Sequence, residues 1–220
     1  MEFYFTLFSY NNKKILGLNL SPHFHGDRAG EFLQAFTEYH KGKKIPVVSI
    51  GTCGGITKDL NLGDFVIATS SKCDDQSLDH FFENNNQAQI LPDTFCLKKV
   101  DHVSIDAVLY EDTQWALKMS QHKAPLVVEK EGASLFQAAK RLECPISVIY
   151  RVSDLLLVEG MDYNSTEHKL ALTGRDLSEL QITLLDSALN LNHQNRLTLT
   201  NHSSNRQRKG LFKSLISWYL

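Results

Sequence analysis

The sequence predicts a single α/β domain, and three observations support that class. Of its 220 residues, 42% are hydrophobic and 22% are charged, a composition typical of a globular chain with one sizeable core. Short β-branched apolar runs alternate along the chain with longer segments whose apolar residues recur at helical spacing. The chain has no internal repeat. Alternating strands and helices without a repeat indicate one α/β domain.

The first three elements are a hairpin, a helix and a strand. Aromatic residues precede a polar turn at 11–14 and aliphatic residues follow it, which predicts a β-hairpin. Apolar side chains recur at helical spacing across 32–39, and Gly42 is a plausible C-cap for that helix. The apolar run at 45–50, which ends at Gly51, suits a strand buried on both faces.

The same criteria predict the elements that follow. Polar residues between Ser70 and Lys99, including three asparagines at 84–86, predict surface loops. The predicted regular elements are a strand over 64–69, a strand over 126–128 leading into a helix over 131–142, a strand over 146–150, and an amphipathic helix over 177–189.

The composition changes near the end of the chain. No acidic residue follows Asp186, whereas five basic residues do, so we divide the chain into a domain over 1–194 and a basic extension over 195–220. Apolar residues between Leu211 and Tyr219 could line one face of a surface-lying helix. We favour packing of this extension onto its own domain or a neighbouring subunit, with membrane or partner contact as the alternative.

Charge, hydropathy and cysteine usage exclude several function classes. With 23 Lys and Arg against 25 Asp and Glu, the net charge of −2 gives no reason to bind nucleic acid. Apolar runs are far shorter than the about 20 residues of a membrane helix, and no basic signal region precedes them. The four cysteines lack zinc-ribbon or disulfide-scaffold spacing and predict reduced thiols in a cytoplasmic protein. The nine histidines show no ligand spacing, so no metal site is predicted.

A glycine-rich segment follows the strand at 45–50. Glycines such as Gly51 let main-chain N–H groups approach an anion or a sugar hydroxyl, and Thr52 adds a hydroxyl donor. A ligand at the carboxyl end of a strand fits the general rule for open α/β sheets. The alternative is a tight turn that needs glycine only for its backbone angles. Neither a P-loop nor a dinucleotide fingerprint is present.

Carboxylates follow two other predicted strands. Glu129 and Glu131 lie at a strand-to-helix junction, where a carboxylate can accept hydrogen bonds from two vicinal ribose hydroxyls. The alternative for Glu131 is a solvated first-turn residue favoured by the helix dipole. Asp154 follows the strand at 146–150 and is a general-acid candidate if the site is sheltered from water; otherwise it is a turn or cap residue.

In this order, the three segments resemble the motifs of the nucleoside phosphorylase and nucleosidase superfamily. Ile50–Gly55 followed by Leu62–Ile67 resembles its glycine turn and LGDxVI strand. Val128–Ser134 resembles its VEMEAA ribose motif, and Val152–Asp154 its VSD acid motif. The resemblance runs roughly from Phe3 to Leu191. It implies a three-layer α/β/α sandwich around a mixed, partly barrel-like sheet.

The resemblance also implies roles for individual residues. Glu131 would hold the ribose hydroxyls, and Asp154, oriented by Ser153, would protonate or hydrogen-bond the purine N7 as the glycosidic bond breaks. A segment at 104–107 loosely resembles the part of the family that lines the base and sugar pocket. The implied substrate-binding set is Gly51, Thr52, Asp106, Glu129, Lys130, Glu131 and Ser153.

Three departures from the family pattern qualify this expectation. The chain opens at what looks like the hairpin after the family's first strand and glycine loop, so that loop is expected to be missing. Ser49 stands where phosphorylases carry an arginine that holds phosphate. Lys130 replaces the ribose-stacking methionine, and would either meet an anionic substrate such as a nucleotide phosphate or face solvent.

We therefore predict an enzyme that cleaves the N-glycosidic bond of a purine or related nucleoside, as a nucleosidase or a phosphorylase. No metal or redox cofactor is expected, and phosphate is the one candidate co-substrate. The competing hypothesis is a catalytically impaired family member that binds a nucleoside or acts as a regulatory or interaction protein. The expected partners are a nucleoside or nucleotide and further copies of the chain, because the resemblance implies a homo-oligomer, a dimer or a multiple of one.

Overall fold

The structure, a computed structural model, describes residues 4–10, 13–19, 26–73, 82–84, 97–105, 113–158 and 215–219. Within these ranges the chain alternates between strands and helices, which confirms the predicted α/β class. None of the described helices is long and apolar enough to span a membrane. In chain order the elements are β1 (Tyr4–Tyr10), β2 (Lys13–Asn19), α1 (Asp27–Tyr39), β3 (Val47–Gly55), β4 (Phe65–Cys73), β5 (Phe82–Glu83), β6 (Lys98–Ser104), α2 (Thr113–Met119), β7 (Leu126–Glu129), α3 (Gly132–Leu142), β8 (Ile146–Leu155) and β9 (Leu215–Tyr219).

The strands form one mixed sheet whose central part closes on itself. β3, β7, β6, β4 and β8 pair in that order, and β8 pairs in turn with β3. β3 and β8 are parallel to each other, whereas β4, β6 and β7 run in the opposite direction. β9, β2 and β1 extend the sheet outward from β3. The expected mixed, partly barrel-like sheet is thereby confirmed.

Helices α1 and α3 pack against each other over the largest apolar core. A Cβ on Gly30 of α1 would lie 2.7 Å from the carbonyl oxygen of Ser134 in α3, so only glycine permits this approach. The Ser134 hydroxyl donates a hydrogen bond of 2.6 Å to the carbonyl of Gly26. Leu33 of α1 is fully buried in this core, and burial of such a side chain contributes about 1.5–3 kcal/mol. The first turn of α3 is therefore fixed against α1.

Helix α3 follows the predicted apolar stripe. Leu135, Ala138 and Ala139 are buried, and Leu142 packs partly buried against the same core. The helix ends where the sequence predicts, because Glu143 adopts a left-handed φ of 52° and the Cys144 N–H closes onto the Ala139 carbonyl at 3.0 Å. β8 starts at Ile146, two residues after Cys144. Strand, helix and strand together carry the residues of the ribose and acid motifs.

The glycine segment is part of β3, which corrects the prediction of a turn there. Neither Gly54 nor Gly55 adopts a positive φ. A Cβ on Gly54 would lie 2.5 Å from a methyl carbon of Leu156, and 3.0 Å from both Asp154 Oδ2 and Val128 Cγ1. Glycine is needed because side chains of the two flanking strands crowd this point of β3, and not because the chain turns.

Two further predictions are wrong: the surface-lying helix near the end of the chain and the surface loop that begins at Ser70. Leu215–Tyr219 form β9, antiparallel to both β2 and β3, rather than part of a surface helix. Their β-branched and aromatic residues favour a strand. Pairing with β2 and β3 gives hydrogen-bond partners to the backbone groups on both edges of β9. Ser70–Cys73 belong to β4, with Ser70, Ser71 and Lys72 buried, rather than to a surface loop. The predicted helix over 177–189 lies outside the described residues.

Candidate active site

The candidate carboxylates lie at the ends of two strands that flank β3. Gly54 pairs with Val128 of β7 on one side and with Asp154 of β8 on the other. Glu129 directly follows Val128, so the backbone positions of both carboxylate residues lie close to the same point of β3. The thiol of Cys53, the residue before Gly54, is buried: burial raises its pKa well above the ordinary value, and the charges of Asp154 and Glu129 raise it further. Cys53 is thus held as a neutral thiol, unsuited to act as a nucleophile.

Glu129 ends β7 with a carboxylate whose two oxygens accept three hydrogen bonds. Oε2 accepts from the backbone N–H groups of Glu131 at 2.6 Å and Gly132 at 2.7 Å, while Oε1 accepts from the Ser104 hydroxyl. The first N–H groups of a helix have no acceptor within that helix, and here the Glu129 carboxylate is the acceptor. Ser104 also accepts a 2.8 Å hydrogen bond from the Ala133 N–H. Glu129 and Ser104 therefore fix the start of α3.

Glu131 occupies the N-cap position of α3 and is partly buried. Burial raises the pKa of its carboxyl group to about 8, with further contributions from the charge of Glu129 and a hydrogen bond to it. The charge of Lys130 acts in the opposite direction. Glu131 and Glu129 thus form a carboxyl pair that holds a proton near neutral pH.

Asp154 lies near the end of β8, only 5% exposed. The Ser153 hydroxyl lies 2.7 Å from Asp154 Oδ1 and 3.1 Å from the Cys53 carbonyl oxygen, and can donate to either. Adjacent residues of β8 thus supply both the carboxyl group and a hydroxyl that orients it.

Of the other predicted residues, Gly51 and Thr52 lie within β3, and Lys130 lies between Glu129 and Glu131 in the chain. Alternation along β3 directs Thr52 and Cys53 to opposite faces, and Thr52 pairs with Arg151. A Cβ on Gly51 would touch the Tyr150 ring at 3.6 Å. Lys130 is partly buried and its carbonyl accepts a 3.1 Å hydrogen bond from the Gly26 N–H. Asp106 lies outside the described residues. Thus β7 and β8, which carry the carboxylate residues, flank β3, and the Thr52 side chain lies away from the face that Cys53 occupies.

A buried polar cluster that the motifs do not predict lies beneath the start of α3. His102 of β6 is completely buried, with Nε2 2.7 Å from the Ser71 hydroxyl and 3.5 Å from Glu129 Oε1. Its ring meets those of Phe136 and Tyr150 edge-on, at centroid distances of 5.1 and 5.9 Å. Burial lowers the pKa of this imidazole, against the opposing charges of Glu129 and Asp101. A single histidine between Val100 and Val103, in a strand that is otherwise mostly polar, was the only sequence signal.

The described part of the chain offers no site for a metal ion. No group of three or more histidine, cysteine, aspartate or glutamate side chains in these ranges has a suitable arrangement.

Comparison with known proteins adds three findings. No family model matches the chain. The chain is 27% identical over 160 residues to the 5'-methylthioadenosine/S-adenosylhomocysteine nucleosidase of Haemophilus ducreyi, an alignment that covers 64% of this chain and 68% of that protein.

Two solved structures from Helicobacter pylori share the fold. A 5'-methylthioadenosine/S-adenosylhomocysteine nucleosidase, in complex with an aminopyrrolopyrimidine-bearing pyrrolidinol, superposes with a TM-score of 0.58 at 17% identity, over 84% of this chain and 88% of that one. A futalosine hydrolase superposes with a TM-score of 0.57 at 18% identity, over 84% and 88% of the two chains. The structural matches show a common fold, and together with the sequence relative they confirm the resemblance predicted from the three motifs.

Proposed function

Because the chain has the motifs, the fold and the sequence likeness of the nucleoside phosphorylase and nucleosidase superfamily, we propose that it hydrolyses the N-glycosidic bond of a purine nucleoside. One observation carries the proposal: the β7–α3 junction and β8, which both carry carboxylate residues, flank the same point of β3. A nucleoside bridging these strand ends would present its ribose to the Glu129–Glu131 pair and its base to Asp154.

Asp154 is proposed as the general acid at the base. As the bond breaks, negative charge builds up on the leaving base, and a proton delivered to N7 stabilises it. The Ser153 hydroxyl, 2.7 Å from Oδ1, would donate to that oxygen and so orient the carboxyl group toward the base. Oδ2 is the oxygen that faces Gly54, where a side chain would crowd it.

Glu131 is proposed to bind the ribose. Its ionised carboxylate can accept hydrogen bonds from both vicinal hydroxyls, so binding is coupled to loss of the proton that the Glu129–Glu131 pair holds. Positive charge develops on the ribosyl carbon in the transition state, and the two carboxylates beside it would stabilise that charge. Glu129 contributes by holding the backbone of Glu131 in place.

Water, rather than phosphate, is proposed as the acceptor. Ser49 lies within β3, between Val148 of β8 and Ile216 of β9, and offers no cation to a phosphate. The Haemophilus relative is a nucleosidase, and one structural neighbour is a hydrolase. We further propose that the chain works as a homo-oligomer, as the resemblance implies, and light scattering of the purified protein would test this.

The decisive experiment is chromatographic detection of free base. The protein would be incubated with 5'-methylthioadenosine, S-adenosylhomocysteine, adenosine, inosine, uridine and adenosine 5'-monophosphate, each with and without inorganic phosphate. We expect base release from purine nucleosides that does not depend on phosphate. Release that requires phosphate would identify a phosphorylase, and preference for the monophosphate would indicate that Lys130 meets an anionic group. No release by folded protein would contradict the proposal and favour a nucleoside-binding or regulatory role.

A further inference from the structure

Gly132, the first residue of α3, lies against two buried polar side chains. A Cβ at this position would lie 2.5 Å from the Tyr150 hydroxyl oxygen and closer still to Nε2 of His102. In the ribose motif that this segment resembles, alanine occupies the corresponding place. The glycine therefore makes room for an imidazole and a phenol directly beneath the helix turn that carries Glu131.

His102 reaches from β6 to the carboxylate that holds this turn. Its Nε2 is 2.7 Å from the Ser71 hydroxyl and 3.5 Å from Glu129 Oε1, and the side chain is fully buried. The neighbouring carboxylate favours the imidazole tautomer that carries its proton on Nε2. Phe136 and Tyr150 confine the ring on its other sides, so this N–H is held in place.

The same carboxylate links His102 to the proposed ribose ligand. Glu129 Oε1 is bounded by Ser104 and His102, while Oε2 accepts the N–H groups of Glu131 and Gly132. A rotation of this carboxylate would break both backbone hydrogen bonds and displace Glu131. The position of Glu131 therefore depends on the side chains of Ser104 and His102, which border Glu129 beneath α3, as well as on the helix itself.

We propose that His102, together with Ser71, is a positioning residue for the ribose-binding carboxyl pair Glu129–Glu131. The inference rests on the proposed function, because it requires a ribose at Glu131. A residue that acts through Glu131 affects only substrates that carry the hydroxyls Glu131 binds. A residue that merely supports the fold affects all substrates alike. The two roles are therefore separated by comparing kcat/KM for substrates with and without these hydroxyls.

The test compares variants of His102 on a matched pair of substrates. His102→Leu fills the space without a donor, and His102→Gln retains an N–H near the place of Nε2. Phe136→Leu is the control, because it alters the packing around the same imidazole without touching Glu129. For each variant, kcat/KM is measured with adenosine and with 2',3'-dideoxyadenosine, after circular dichroism has verified folding.

For His102→Leu we expect kcat/KM with adenosine to fall about tenfold or more while that with the dideoxy substrate changes less than about twofold. His102→Gln should recover part of the loss, and Phe136→Leu should keep the wild-type ratio between the substrates. If His102→Leu does not fold, Ser71→Ala replaces it and should lower the ratio in the same direction. Equal losses on both substrates, with active wild-type enzyme, would overturn the role of His102 and leave the proposed function intact. Absence of base release by the wild type would overturn both.

Discussion

The ends of β7 and β8 carry carboxyl groups that are equally buried and differently held. Glu129 is 6% exposed and Asp154 is 5% exposed. The two oxygens of Glu129 accept hydrogen bonds from Ser104 and from two backbone N–H groups of α3. Asp154 meets the hydroxyl of its own chain neighbour, Ser153. Backbone groups of α3 hold the first carboxylate, whereas the partners of the second include a rotatable hydroxyl.

This difference indicates different tasks for the same kind of side chain. Backbone N–H groups cannot turn away, so a carboxylate that accepts them must stay an acceptor and serves to fix structure. A hydroxyl can rotate to suit either protonation state of its neighbour, which is what the proposed acid Asp154 requires. The kind of hydrogen-bond donor, more than the degree of burial, distinguishes the proposed acid from the proposed support.

Replacing Asp154 by asparagine should give the largest effect. The amide keeps the volume but has no transferable proton, so kcat for base release should fall by about 10²–10⁴, the usual contribution of a general acid. The midpoint of thermal unfolding should stay close to that of the wild type, because the Ser153 hydroxyl can still donate to the amide oxygen. Activity retained by Asp154→Asn would remove Asp154 from the role of acid and undo the contrast between the two strand ends.

Replacing Glu131 by glutamine should give the second largest effect. The amide can accept only one of two vicinal hydroxyls well, and loss of a hydrogen bond to a charged group corresponds to about a tenfold to hundredfold fall in kcat/KM. The fall should be smaller for 2'-deoxyadenosine than for adenosine, which steady-state kinetics on the two substrates will show. A uniform fall on both would mean that Glu131 does not hold the ribose.

Replacing Glu129 by glutamine should lower stability in addition to disturbing the position of Glu131. The new NH₂ group must face either Ser104 or the N–H groups of Glu131 and Gly132, which leaves a buried donor without an acceptor. Such a group costs about 1–3 kcal/mol, measurable as a lower free energy of unfolding in urea. Asp154→Asn is the matched control, with the same chemical change at the other strand end. Similar stability losses in both would show that the two carboxyl groups are held alike.

Much of this site was predictable because strand ends and helix starts have local signals. The short β-branched runs located β3, β7 and β8, and the polar residues just after them proved to lie on neighbouring strands. The apolar stripe of α3 likewise predicted which face of that helix is buried. These features depend on residues a few positions apart in the chain, which periodicity detects.

The missed features depend on contacts distant in sequence. Gly54 suggested a turn, and only the side chains of β7 and β8 explain why it is glycine. His102 lies 27 residues before Glu129, as their numbering shows, and nothing near it in the chain indicates that it faces a carboxylate. Leu215–Tyr219 fitted a helical spacing, yet pair between β2 and β3, a placement set by two distant strands.

The last expected effect is a pH dependence of stability at the β7 end of the site. The pKa of Glu131 rises from its ordinary value of 4.5 to about 8 in the folded chain, mainly through burial. Between these values the unfolded chain has lost the proton and the folded chain keeps it, so the contribution of Glu131 to stability falls as pH rises. Below pH 4.5 and above about 8 this contribution no longer changes.

Glu131→Gln does not titrate and provides the reference. The free energy of unfolding of the wild type, minus that of Glu131→Gln, should decrease steadily from pH 5 to pH 8 in urea titrations. Glu143→Gln is the control, because the exposed pair with Lys44 lowers the pKa of Glu143 and moves its titration below this window. A difference that rises or stays level across the window would mean that Glu131 is ionised in the folded state. The β7 end would then hold no proton for a ribose to displace.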